Sequence, residues 1–149
     1  MTEIWLTSMF ILSTFWVGPF WFGMLFQPHH ERTKKWVEGP LIIAGPLVAY
    51  FVVVIFSSNS FSEFSNVSSI NDIVPALAAL LGTPEGAVLA WIHFVIGDIV
   101  TTRWIWRRSV ERNLNNRIAQ LSIFFGVMLM PLGLLIYVLT TIDLSKSEE

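Results

Sequence analysis

Two ionisable side chains, His93 and Asp98, lie five positions apart inside one apolar stretch, residues 86–106. Ionisable groups inside a membrane are energetically expensive, and they mark a functional site by default. A carboxylic acid in an apolar site can stay neutral and donate a proton, and a histidine can act as a base or a ligand. Both residues are therefore candidate catalytic groups. The alternative is that they form interhelical hydrogen bonds that fix a helix bundle.

The helical period separates these two candidates around their helix. Successive helical residues are rotated by about 100°, so a five-residue separation places His93 and Asp98 about 140° apart. Arg103 has the same separation from Asp98. A second helix or a ligand is therefore needed to join these groups. One histidine and one aspartate also lack the ligand number and spacing of a metal site.

Aromatic side chains are the second candidate feature. The first apolar stretch carries Trp16 near its middle, away from the interface where tryptophan usually concentrates. Rings at that depth suit packing against a flat, conjugated ligand, with helix packing or lipid contact as the alternative. The candidate ligand-binding residues are the aromatic Trp16, Phe20, Trp21, Trp91 and Trp104, together with the cationic Arg103.

Composition places these residues in a membrane protein. The chain has 149 residues, of which 54% are hydrophobic and 13% charged, and its mean hydropathy is +0.63. Soluble domains carry about 25% charged residues, so this chain has too little polar surface for a soluble globule. The absence of cysteine excludes disulfide frameworks and thiolate metal sites. Neither a nucleic-acid-binding motif nor a phosphate-binding loop is present.

Four apolar stretches are long enough to cross a bilayer as helices, which needs about 20 residues. They are residues 4–26, 39–57, 86–106 and 118–142. Residues 70–82 are too few to span, and they predict an interfacial or re-entrant helix before the third span. The first stretch lacks the basic start of a signal peptide, so it is expected to remain as a span. The prediction is one transmembrane domain over residues 1–149, an all-α bundle of four spans.

Charge predicts the orientation of this bundle. The connections after the first and third spans are basic, whereas the N-terminus and residues 58–85 hold no Lys or Arg. The positive-inside rule places the two basic loops on the cytoplasmic or stromal side, with both termini outside. The host is then a plasma membrane or a photosynthetic membrane. The cations are Arg32, Lys34, Lys35, Arg107, Arg108, Arg112 and Arg117.

Local features refine the spans. Trp36, Trp104 and Trp106 lie near the basic ends, where indole rings favour the membrane interface. Arg103 lies one turn deeper, and its long side chain could extend outward to that interface. Prolines occur inside three spans and predict bends there: Pro19, Pro46 and Pro131.

Three segments together resemble the abscisic-acid-deficient-four-like family. They are Gly18-Pro19-Phe20-Trp21 with Pro28, Trp91-Ile92-His93 with Asp98 and Arg103-Trp104-Ile105, and Pro131-Leu132-Gly133-Leu134-Leu135-Ile136-Tyr137. The middle segment is the most specific. Thr102 and Met130 depart from the family pattern, because glycine often precedes the arginine and the proline there.

The resemblance implies carotenoid biology. Plant members are associated with converting violaxanthin to neoxanthin, which opens an epoxide into an allenic alcohol without net redox change. Such a reaction needs an acid at the epoxide oxygen and a base at a neighbouring hydrogen. Asp98 as the acid and His93 as the base match these roles by residue type.

Two other functions stay open. One is a non-enzymatic subunit that binds a carotenoid or a chlorin within a larger photosynthetic or light-driven membrane complex. The other is a transporter or channel, for which an oligomer would have to build the pathway. The expected partners are membrane lipid, a hydrophobic isoprenoid or pigment, and other membrane proteins.

Overall fold

The computed structural model of the protein describes residues 2–57 and 67–146, and within these ranges all regular secondary structure is helical. The all-α fold class predicted from the sequence is therefore confirmed. The Ser- and Asn-rich residues 58–66 and the end of the acidic tail, residues 147–149, lie outside the described residues. The helices are α1 Thr2–Trp16, α2 Gly18–Phe26, α3 Glu31–Glu38, α4 Leu41–Phe56, α5 Ile70–Leu81, α6 Pro84–Glu111, α7 Asn116–Met128 and α8 Met130–Lys146.

Three stretches of the described residues are long and apolar enough to cross a membrane. They are Ile4–Phe26, Glu31–Phe56 and Pro84–Glu111. The first stretch equals the first predicted span, the second begins eight residues before the predicted span and ends one residue short of it, and the third extends beyond its predicted bounds at both ends. The hydropathy of the sequence therefore located these helices correctly.

Prolines act differently in the first two spans. The first span is divided at Val17, and Pro19 lies in the first turn of α2. Proline lacks a backbone N–H, which is tolerated in the first turn, where that group has no partner within the helix. In the second span, α4 continues through Pro46 without interruption.

The predicted fourth span is not a single helix. Helix α7 ends at Met128, Leu129 adopts φ −152° and ψ 82°, and α8 begins at Met130. Pro131 therefore occupies the first turn of a new helix and does not bend a continuous one. The prediction of one span over residues 118–142 is not confirmed, and a topology of four spans with both termini outside stays a prediction.

The described chain packs as two compact units. Unit one comprises Met1–Trp16 and Ala44–Val95, and unit two comprises Val17–Ile43 and Ile96–Glu149. Leu6, Ala49, Val53 and Ile92 are buried in unit one. The buried side chains of unit two include Met24, Val37, Ile42, Ile105, Trp106 and Ile123.

In unit two, α7 and α8 form a hairpin beside the second part of α6. A Cβ atom added to Gly133 would lie 2.2 Å from the backbone N of Gly126, so α8 turns back directly onto α7. One added to Gly97 would lie 3.6 Å from Met130 Sδ, and the rings of Trp104 and Tyr137 are 5.1 Å apart. The two contacts follow the same order along α6 and α8. Helix α8 therefore runs parallel to α6, toward the basic end of α6.

The short apolar segment before the third span forms helix α5, as the sequence predicts. Its N-terminus is capped by the Asp72 carboxylate, which accepts hydrogen bonds from Ser69 N at 3.0 Å and Ser69 Oγ at 2.9 Å. The side-chain and backbone hydrogen bonds from Ser69 hold the pKa of Asp72 below its ordinary value. Placement of this helix at the membrane interface stays a prediction.

Candidate functional site

Unit one presents a half-exposed tryptophan that is fixed in place. Trp91 of α6 donates from Nε1 to Thr14 Oγ1 of α1 at 2.9 Å, and its ring centroid lies 5.2 Å from that of Phe10. The indole nevertheless remains 42% exposed. The Trp91 surface, defined as Phe10, Thr14 and Trp91, is therefore a preformed aromatic surface whose two rings are tilted by 39° and whose indole N–H is satisfied.

His93 lies on a different side of α6. Its imidazole is exposed, and its ring centroid lies 6.3 Å from that of Tyr50 on α4. It makes no hydrogen bond with any residue that the structure describes. Because Trp91 and His93 are two residues apart, about 160° separates them around the helix axis, so one surface of the helix cannot include both.

Trp16 is part of the packing between α1 and α4. A Cβ atom added to Gly45 would lie 2.3 Å from Cδ2 of Trp16, so the indole lies directly against the α4 backbone. Gly45 is required at this position because any side chain would displace the ring. Trp16 is a predicted ligand-binding residue. The backbone of α4 at Gly45 covers one side of its ring, so a ligand could contact only the rest of the indole.

In unit two, the half-buried Asp98 faces the start of α8. The backbone N–H of Met130, the first residue of α8, interacts with the Asp98 carboxylate. The first N–H groups of a helix lack partners within the helix and carry partial positive charge, so they favour a carboxylate. Asp98 thus lies beside the start of α8, next to the approach of Gly97 to Met130.

Arg103 and Trp104 also have partners within unit two. Arg103 Nη2 donates to the backbone carbonyl of Glu38, the last residue of α3, where a cation complements the negative end of the helix. The side chain is thereby tied to the protein instead of extending freely to the interface. Trp104 is 43% exposed and packs edge-to-face on the buried Tyr137.

Two predicted ligand-binding rings of α2, Phe20 and Trp21, are packed inside unit two. Phe20 is buried, and Trp21 packs against Phe124 with ring centroids 5.8 Å apart. Trp106 was expected at the membrane interface, but it is 1% exposed and donates to the Pro28 carbonyl at 3.2 Å. The indole N–H satisfies a backbone carbonyl just beyond the end of α2, and the ring packs inside unit two. The depth of Trp106 at the membrane interface stays a prediction.

The structure thus divides the predicted site residues between the units. Trp16, Trp91 and His93 belong to unit one, and Phe20, Trp21, Asp98, Arg103 and Trp104 belong to unit two. Across the described ranges, no group of three or more His, Asp or Glu side chains could hold a metal ion. A cavity beside Trp106 and Ser109 has a volume of about 10 Å³, the lower limit for one water molecule.

Sequence reasoning missed Thr14, Tyr50 and Gly45, which position these rings. Thr14 had a detectable signal, because it is a polar residue near the centre of the first apolar stretch. Gly45 and Tyr50 had none, since small and aromatic residues are both common in membrane helices.

The fold and these side chains define a class, an all-α protein whose long apolar helices fit association with a membrane. Within that class, the chain belongs to the ABA DEFICIENT 4-like family, whose model matches residues 8–137. This range contains the three segments whose resemblance was recognised in the sequence, and the family assignment made from them is confirmed.

One relative is the protein ABA DEFICIENT 4, chloroplastic, of Arabidopsis thaliana. It is 24% identical over 144 residues, covering 91% of this chain and 64% of the relative. The chain therefore spans just under two thirds of that protein's length. No solved structure matches the chain.

Proposed function

We propose that the protein is a carotenoid-related integral membrane protein that binds an elongated, conjugated isoprenoid on the Trp91 surface. The observation that carries this proposal is an indole locked by the hydrogen bond to Thr14 yet 42% exposed. A fixed aromatic face binds a flat polyene without losing side-chain entropy on binding. Membership of the family and the chloroplast location of the relative support a pigment as the ligand.

The first test is the visible absorption spectrum of the chain purified in mild detergent from its native membrane. Carotenoid or chlorin bands at stoichiometric level are expected, together with their loss in Trp91→Ala. Trp36→Ala is the matched control, because Trp36 is also an exposed tryptophan but lies in unit two. A colourless native protein, or equal pigment in wild type and Trp91→Ala, would refute binding at this surface.

The second candidate function is isomerisation of an isoprenoid epoxide on the His93 side of α6. The exposed imidazole of His93, which bonds to none of the described residues, favours it. In this step one epoxide C–O bond breaks and the oxygen gains a proton. The base removes a proton from a neighbouring carbon, so a hydroxyl group and a double bond form with no change in composition. His93 would be the base, and the imidazolium that it becomes would return the proton to the oxygen.

Chromatography of an epoxy-carotenoid before and after incubation with the protein tests this reaction. Conversion to a product of unchanged mass is expected, with a loss of about 100-fold or more in His93→Gln. Equal conversion by His93→Gln and wild type would remove His93 from the reaction and leave the binding function.

The membrane topology is part of the proposal. The basic connections lie on the cytoplasmic or stromal side, the N-terminus lies outside, and three helices span. The α7–α8 hairpin starts at the basic end of α6 and returns toward it, so the C-terminus lies on the basic side. This arrangement replaces the outside location expected from four simple spans.

The absence of cysteine makes the topology directly testable. Arg112→Cys reports on the basic side and Ser68→Cys on the opposite side, and a cysteine appended at the C-terminus is the unknown. Labelling of sealed vesicles with a membrane-impermeant maleimide should place the appended cysteine with Arg112→Cys. Labelling together with Ser68→Cys would restore the four-span topology.

A further inference from the structure

A second apolar binding surface lies in unit two, between the end of α2 and the start of α7. This α2–α7 groove has a volume of about 410 Å³, within the usual range of small-molecule sites. It is open to the surroundings along one side. Its lining residues are Leu25, Phe26, Arg117, Gln120, Leu121 and Phe124.

The walls of the groove are held in place by the protein. Gln120 Nε2 donates to the Leu25 carbonyl at 3.1 Å, which ties α7 to α2. Phe124 packs against Trp21, yet it remains 40% exposed, and Leu121 is 51% exposed. Exposed apolar side chains on a fixed framework make a surface on which an acyl chain can pack.

The mouth of the groove is positively charged. Arg117 lies in the first turn of α7, and its backbone N–H donates to Asn115 Oδ1 at 3.0 Å. The start of a helix carries partial positive charge, which adds to the guanidinium charge. In the part of the chain that the structure describes, Arg117 forms no ion pair, whereas Arg107 and Arg108 both pair with Glu111.

The charged mouth of the groove and its apolar side chains lie at different positions along α7. A lipid with a charged headgroup and an apolar chain needs such a separation. Arg117 and Phe124 are seven residues apart along α7, a distance of about 10 Å. With the basic connection at the headgroup level of the membrane, Arg117 lies near lipid phosphates, and Leu121 and Phe124 lie deeper, among the acyl chains. A free cation at this level attracts an anionic headgroup.

We propose that the α2–α7 groove binds one anionic membrane lipid, with its headgroup oxygens on Arg117 and an acyl chain along Leu121 and Phe124. This site shares no residue with the Trp91 surface, and it rests on the proposed membrane placement of the basic connection and not on the proposed pigment function. The lipid supplies the negative charge that Arg117 does not receive from any of the described residues. It also covers the exposed apolar side chains of both helices.

Binding is measured on the full chain in a non-ionic detergent by native mass spectrometry and by the melting temperature. Phosphatidylglycerol should form a one-to-one adduct and raise the melting temperature more than phosphatidylcholine does. Arg117→Gln should weaken phosphatidylglycerol binding about tenfold, since a charge-assisted hydrogen bond is lost. Arg117→Lys keeps the charge and should retain most of the binding.

Matched controls separate this site from general attraction to the basic loop. Arg112 is an exposed cation of the same loop that does not line the groove, so Arg112→Gln should bind like wild type. Leu121→Trp should block the acyl chain while leaving Arg117 in place. Glycerol 3-phosphate, which has no acyl chain, should bind far more weakly than the lipid.

Three results would overturn the proposal. Equal binding of the two lipids would remove the role of charge, and equal losses in Arg117→Gln and Arg112→Gln would remove the specific role of Arg117. Displacement of phosphatidylglycerol by a carotenoid, with sensitivity to Leu121→Trp, would assign the groove to the pigment.

Discussion

The two parts of helix α6 use their polar side chains in opposite ways. In unit one, Trp91 bonds to the side-chain hydroxyl of Thr14, and His93 stays exposed. In unit two, Arg103 and Trp106 both donate to backbone carbonyls, those of Glu38 and Pro28. The first part of the helix therefore leaves side chains exposed on its surface. The second part uses its side chains to bind the ends of neighbouring helices.

This difference suggests which residues carry function. A side chain bonded to a backbone carbonyl at the end of a helix satisfies a group that the helix itself leaves unpaired. Its loss is therefore expected to weaken the fold. A side chain bonded only to another side chain on an exposed face can be changed with little loss of stability. Substitutions in the second part of α6 should thus affect folding, and those in its first part should affect ligand binding.

Gly133→Ala should produce the largest effect on stability. The new Cβ would lie 2.2 Å from Gly126 N and 2.7 Å from the Ser122 carbonyl, and backbone atoms cannot move aside cheaply. We expect a loss of about 3 kcal/mol or more, or failure to fold, measured by thermal unfolding in detergent.

Gly18→Ala is the control for this substitution. Nothing lies within 4 Å of a Cβ atom added at Gly18, in the first turn of α2. Its melting temperature should stay near that of wild type. If Gly133→Ala also melted normally, the tight α7–α8 hairpin would be refuted.

Trp106→Phe should have the next largest effect. It removes the donor to the Pro28 carbonyl and leaves space around a side chain that is only 1% exposed. We expect about 2 kcal/mol of destabilisation by chemical or thermal unfolding. Trp36→Phe, at a ring that is 51% exposed, should change stability by less than about 0.5 kcal/mol. Equal effects would remove the contrast between a buried and an exposed indole.

These residues show which part of the fold the sequence could predict. Long apolar runs identify spanning helices because a bilayer requires both length and apolar character. The reversal at Leu129 is hidden, since residues 118–142 contain no charged residue to mark the break. Gly126, Gly133 and Pro131 were visible in the sequence, but small residues and proline are equally common in straight membrane helices.

The sequence could identify the types of residue that make up the candidate site, but it could not identify the residues that contact them. Hydropathy and helical period singled out His93, Asp98 and Trp91. They could not show that Asp98 faces the start of α8, because that contact depends on the reversal at Leu129. Trp106 was assigned to the interface because tryptophan near basic ends is usually interfacial.

Thr14→Val tests the exposed part of α6 with a smaller expected effect. The substitution keeps the shape of the side chain but removes the acceptor for Trp91 Nε1. Stability should fall by about 1 kcal/mol or less, as for other single interhelical hydrogen bonds in membranes. Pigment retention should fall more clearly, because the indole is no longer fixed.

Thr14→Ser restores the hydroxyl and should restore retention, which distinguishes loss of the hydrogen bond from loss of packing. Unchanged pigment binding in Thr14→Val would show that orientation of Trp91 does not matter to the ligand.

The smallest expected effect concerns pH and the start of α5. Hydrogen bonds from Ser69 hold the pKa of Asp72 below its ordinary value of 3.8. A carboxylate with a lowered folded pKa stabilises the fold above the unfolded pKa. That contribution is lost as the pH falls through the lower folded value. Amide exchange in the first turn of α5 should therefore be slowest near neutral pH, after correction for intrinsic rates.

Asp72→Asn should abolish this pH dependence, while the amides of α6 remain unaffected in both proteins. A wild-type profile that is flat in acid would show that the carboxylate does not cap the helix.

The length of α6 has a consequence for the host bilayer. Its 28 residues extend about 42 Å, whereas a typical hydrocarbon core is about 30 Å thick. A rigid helix longer than the core must tilt or extend into the headgroup region. Its end is polar, with Arg107 and Arg108 paired to Glu111, so extension there exposes no apolar surface. The helix can therefore accommodate thin and thick bilayers by changing its tilt, and bilayer thickness becomes a variable that sets the angle of the Trp91 ring to the membrane plane.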